Sequence, residues 1–162
     1  MKRKLFKRII LGAIVLFAAL QLFNPSRQNP PVRSDFIAAA HPPVEVADDV
    51  RAACYDCHSH ATEWPFYARV APVSWLIASD VNEGRKHLNL SEWSAEPARA
   101  AKNLDRMNEV IDYHEMPPAK YILLHSAARL TDHQRKALLD WTSTTADQLR
   151  VTSTNNPSHA PN

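Results

Sequence analysis

Glycine is almost missing from this chain: Gly12 and Gly84 are the only two in 162 residues. Hairpins need turn glycines and phosphate-cradling loops are glycine-rich, so the composition argues against an all-β fold and against a glycine-loop nucleotide site. Methionine is scarce too, with Met107 and Met116 alone beyond the initiator. Only two cysteines occur, Cys54 and Cys57, so a zinc site of the usual cysteine-rich kind has no third thiolate to draw on. Acidic residues are absent from positions 1–33, which hold seven of the 19 Lys and Arg. The remaining residues carry 12 basic and 17 acidic side chains, a net of −5. That distribution lacks the basic stripe of a nucleic-acid binder, and no nucleic-acid partner is expected.

The basic excess belongs to the N-terminus. Lys2, Arg3, Lys4, Lys7 and Arg8 precede the apolar run Ile9 to Phe23. Fifteen helical residues span about 22 Å, short of a bilayer core of about 30 Å, but Leu5 and Phe6 extend the run while Lys7 and Arg8 snorkel. The run ends in "NPSRQNPPV", a poor cleavage site, so residues 1–24 read as an uncleaved anchor rather than a removed signal. The positive-inside rule then places the body on the far side of a bacterial inner membrane, in the periplasm. Residues 25–44 read as a proline-rich, semi-rigid linker holding the domain off the membrane. Residues 45–150 form one all-α domain, and the tail from 151 to 162 reads as disordered. Four helical patterns organise the domain. The first runs from Val46 to Cys57 and the second from Pro72 to near Gly84. The third, from Glu96 to His114, repeats Leu104, Met107, Ile111 and His114 on one face. The fourth opens with the capping-box pair Thr131 and Gln134 and turns Ala137, Leu138 and Trp141 inward.

The chemistry concentrates in "CYDCHSH", Cys54 to His60. A spacing of three is almost one helical turn, so both sulfurs can face the same way. Zinc would need histidines or carboxylates as its remaining ligands, and no second knuckle is present. A dithiol oxidoreductase places its cysteine pair after a strand at a helix start, whereas a helical pattern precedes Cys54. Covalent haem fits best: two thiols one turn apart suit the two vinyl groups, and His58 follows as an axial ligand. Its other ring N–H needs a carbonyl, for which Pro65 or Pro72 lies just downstream. For the sixth ligand Met116 stands in "HEMPPAKY", where two prolines stiffen the loop. His114 is its rival, while Met107 fits the apolar face of its helix and reads as packing. His41, His60, His87, His125, His133 and His159 read as solvated or hydrogen-bonded away from iron.

With these residues in place, the sequence resembles the small haem-binding domain family of bacterial membrane-anchored c-type cytochromes. The resemblance rests on "CYDCHS" at Cys54 to Ser59, "WPFY" at Trp64, "APVSWLI" at Ala71, "NEGRKHLNLSEW" at Asn82, "EMPP" at Glu115 and "LLHSAARLT" at Leu123, followed by Trp141. It covers roughly residues 46–141. It implies one haem c bound through Cys54 and Cys57, His58 as axial ligand, and a haem-facing loop at Met116. The expected function is electron transfer rather than catalysis: a membrane-tethered monohaem cytochrome serving redox partners of the cell envelope. The alternative is a peroxide- or gas-binding sensor or enzyme with an open distal site, for which His114, Glu115, Tyr121 and His125 are candidates. A haem that only staples the fold of an assembly subunit is the third reading.

Overall fold

The computed structural model describes residues 2–155. All regular elements there are helical, apart from one isolated parallel bridge between Ser34 and Glu92. Seven α-helices follow in order: α1 (Lys2–Leu20), α2 (Phe36–Ala40), α3 (Val44–His58), α4 (Val73–His87), α5 (Pro97–Asp112), α6 (Ala119–Ile122) and α7 (Asp132–Asn155). Helix α1 continues into a 3₁₀ turn, Gln21–Phe23, and none of α1 is buried. Together they rise roughly 34 Å, so the basic N-terminal residues do extend the short apolar run, and this segment is long and apolar enough to cross a membrane.

The core is built where apolar periodicities meet. Helix α5 packs along α7, and Leu104, Met107, Ile111 and Leu138 are all buried between them and α3. Val46, Val50 and Ala53 supply the matching face of α3. Phe36 is completely buried and stands edge-on to Trp93 and Trp141, with ring centroids 4.6 and 5.8 Å away. Met107 is core packing. The capping box forms in both directions: Gln134 Oε1 accepts from Thr131 N at 2.9 Å, and Thr131 Oγ1 accepts from Gln134 N at 3.3 Å.

Three boundaries differ from the sequence reading. Helix α4 runs past Gly84 to His87, because Gly84 faces a neighbouring helix instead of ending its own. Helix α5 stops at Asp112, and His114 leaves it with a φ of 59°, the left-handed conformation that terminates helices. His114 is therefore exposed and not part of the buried face. Helix α7 continues through Thr152 to Asn155, where the hydroxyls of Thr152, Ser153 and Thr154 donate to carbonyls three or four residues back. The rest of the expected tail lies outside the described residues, as does His159.

The proline-rich stretch does not stand off the body. Asn29 donates to Thr62 O at 2.9 Å, and Ser34 N and Arg33 N both donate to Ser91 O at 3.0 Å. Pro31 O accepts from His60 Nδ1 at 2.9 Å, while Asn89 Nδ2 donates to His60 Nε2 at 2.9 Å. His60 is thus a buried latch with both ring nitrogens engaged. Phe36, inside the stretch read as linker, is a core residue.

Candidate functional site: the end of α3 and its seam with α4 and α6

Cys54, Cys57 and His58 occupy the last turn of α3. Both thiols are free and half-buried. Burial pushes Cys54 up to about 12 and Cys57 up to about 11, with the neighbouring thiol and acidic side chains adding to the effect. Both are therefore protonated at neutral pH, the opposite of a redox-active pair, which needs a low-pKa thiolate. Among the described residues no group of three or more His, Cys, Asp and Glu side chains converges to hold a metal ion.

His58 donates Nδ1–H to Leu88 O at 3.0 Å, in the turn after α4. The carbonyl expected from Pro65 or Pro72 comes instead from Leu88, thirty residues along the chain, because α4 runs back beside α3. Burial holds the imidazole below the ordinary histidine range, so its neutral form dominates. With Nδ1 as donor, the lone pair sits on Nε2, the atom a metal would take.

The close packing of α3 and α4 depends on Gly84. A Cβ there would lie 2.5 Å from the Cys57 carbonyl oxygen, which backbone cannot yield cheaply. The next residue, Arg85, donates Nε–H to Ser59 O at 2.8 Å, and its other arm reaches Asn29 Oδ1 at 2.9 Å and Thr62 Oγ1 at 3.0 Å. One guanidinium thus fixes the loop after the motif and the proline-rich stretch together.

Helix α6 closes the other flank. Tyr121 donates its hydroxyl to Asp56 Oδ2 at 2.7 Å, and Lys120 Nζ reaches Asp80 Oδ2 on α4 at 2.7 Å. Asp56 Oδ1 also accepts from Glu63 N at 2.9 Å. Burial and the bond to Asp56 drive the Tyr121 phenol far above its usual range, so it stays a donor. His125 stacks on Tyr121, donates Nδ1–H to Tyr121 O at 3.1 Å and accepts from Tyr67 at 3.3 Å. Both of its nitrogens are hydrogen-bonded.

Met116 lies on the loop between α5 and α6, 36% exposed, with its backbone N bonded to Val110 O at 3.1 Å. His114 donates Nδ1–H to Asp112 O at 2.8 Å, which leaves its Nε2 free as well. Leu123 and Leu124, directly after α6, are 79% and 66% exposed. Such solvent-facing leucines beside a thiol pair and an oriented imidazole fit a large, flat, apolar group with a metal at its centre.

Residues 15–144 match the family model described as a haem-binding domain. The chain belongs to the haem-binding domain family. This haem-binding domain is also similar to the cytochrome c peroxidase Ccp of Escherichia coli (strain K12), 26% identical over 110 residues. That alignment covers 65% of this chain and 24% of the relative, so the chain spans about a quarter of that protein's length. No solved structure matches it. The donor set at the end of α3 accords with haem. Of the residues that position it, sequence reasoning passed over Asp56, Arg85 and Leu88, and it took Gly84 for a helix end and Tyr121 for a distal-side candidate. The cue for Gly84 was rarity, one of two glycines set mid-helix; Leu88 acts through its backbone and gave none.

Proposed function

We propose that the chain is a membrane-tethered, periplasmic monohaem c-type cytochrome that carries electrons for redox partners of the cell envelope. Cys54 and Cys57 would hold one haem as thioethers, each S–H having added across one vinyl group. His58 would hold the iron through Nε2, and Met116 would be its second ligand, with His114 as the alternative. Haem would supply the one-electron couple, and a side-chain ligand from His58 and from Met116 would keep the iron's ligands unchanged as charge moves. One observation carries this reading: His58, next to the thiol pair, is bonded through Nδ1 to Leu88 O, which leaves its lone pair on Nε2.

Met116→Ala tests it. Removing a thioether ligand takes away the weak red charge-transfer band of ferric iron, lowers the reduction potential and opens the metal to carbon monoxide or cyanide. Met107→Ala leaves the band and costs stability alone, roughly 2–5 kcal/mol for a buried methionine. The likeness to a protein named as a peroxidase supports a second reading, an open distal site that binds peroxide or a gas. Wild-type protein that already binds carbon monoxide readily, with Met116→Ala changing neither spectrum nor potential, decides for that reading.

A further inference from the structure

The body is fastened to the last turn of the N-terminal helix by side chains. Gln21 Oε1 accepts from Ala71 N at 2.9 Å and its amide donates to Ala71 O at 3.3 Å. Trp75 donates its indole N–H to Phe23 O at 2.9 Å, and Ser74 Oγ bonds Asn24 Oδ1 at 2.5 Å. All three partners lie at the start of α4 or just before it. Residues 66–76 therefore sit beside the point where the apolar helix ends. Their outer side is apolar: Phe66 is 81% exposed, and Val70, Val73 and Trp75 are exposed too, next to Leu22 at 82% and Phe23 at 73%. Neither 21–33 nor 66–76 contains an acidic residue, while Arg27, Arg33 and Arg69 lie within them. The body as a whole is acidic, so this face stands apart in charge as well as in apolarity.

We propose that this face docks on the lipid surface itself: Phe66, Val70 and Val73 enter the headgroup region beside Trp75, and Arg27 and Arg69 meet lipid phosphates. The proposal rests on α1 spanning the membrane. An apolar patch of this size next to a spanning helix binds intramolecularly, so it need not hold a membrane unaided. Indole at the interface and arginine near anionic headgroups are the chemistry that boundary favours. The consequence is that the Cys54–Cys57–His58 site is held at one height and orientation above the bilayer instead of swinging on a spacer. Partners then meet it from one side.

Full-length, haem-loaded protein in vesicles of mixed zwitterionic and anionic lipid, doped with a photoreactive lipid, tests this. Cross-linked peptides are mapped by mass spectrometry. Lipid adducts are expected on α1 and on residues 66–76, several-fold above those on α5 and α7. The double variant Phe66→Ser, Val70→Ser is expected to lose the adducts in 66–76 and keep those on α1. Adducts on α1 with none in 66–76 overturn docking and leave the anchor standing. Adducts on neither overturn both. Residues 66–76 protected from hydrogen exchange in native membranes but bare in these vesicles assign the face to a protein partner, and also overturn the lipid assignment.

Discussion

Helix α3 has two ends of opposite character. Its first half buries Val46, Val50 and Ala53 in a core shared with Phe36, Leu90, Leu104 and Leu138, with Asp49 the buried polar side chain there, bonded to Gln134. Its last turn carries Cys54, Cys57 and His58 and is fixed by hydrogen bonds: Leu88 O on His58, Tyr121 on Asp56, Arg85 on Ser59. Around that second end large apolar side chains face solvent, Leu123 and Leu124 among them. Non-directional burial specifies the first half and tolerates adjustment. Directional bonds specify the second, as a site that must hold an imidazole at a fixed angle requires.

Breaking the dry half should cost most. Phe36→Ala removes a fully buried ring and its two edge contacts, and should destabilise by about 3–5 kcal/mol in denaturant titration. The haem spectrum of the surviving folded fraction should be unchanged. Next comes the seam. In an exposed helix Gly→Ala stabilises by up to about 1 kcal/mol, but Gly84→Ala sets a methyl against the Cys57 carbonyl and should destabilise by roughly 1–3 kcal/mol. Gly12→Ala, in an exposed helix with open space around it, should stabilise by up to about 1 kcal/mol. Thermal melts of the two variants side by side read the difference in sign.

Tyr121→Phe leaves the Asp56 carboxylate without its phenol donor and should cost about 1–2 kcal/mol. Because that carboxylate lies between the two cysteines, the same change should shift the reduction potential downward in voltammetry, which a core variant does not do. The smallest effect belongs to the surface. Lys136 and Asp140 pair at 2.5 Å with both side chains largely exposed, and Lys136→Ala should change the melting free energy by less than about 0.5 kcal/mol.

The dry half was legible in the sequence because burial leaves a period: Leu104, Met107 and Ile111 repeat at helical spacing, and Thr131 with Gln134 spells a cap. The motif at Cys54 was legible because two cysteines and a histidine at that spacing suit few chemistries. The support of the site was not. Leu88 contributes a backbone carbonyl, which any residue provides, and Asp56 and Tyr121 meet across 65 positions with no periodic link. Gly84 looked like a helix stop because glycine serves that purpose more often than close packing. His114 looked like part of a buried face because period alone does not reveal where a helix ends. The proline-rich stretch looked like a spacer, yet its asparagine, serine and proline groups bond to the body and Phe36 enters the core.

The central claim is that Cys54 and Cys57 hold haem covalently beside His58. Intact-mass measurement of the protein made alongside a c-type maturation system, after acid–acetone extraction and under denaturing conditions, tests it most directly. The account predicts a single species heavier than the polypeptide by one haem, with both cysteines blocked to alkylation and fragment ions placing the group on residues 54–57. A bare polypeptide with two alkylatable thiols under those conditions would contradict it.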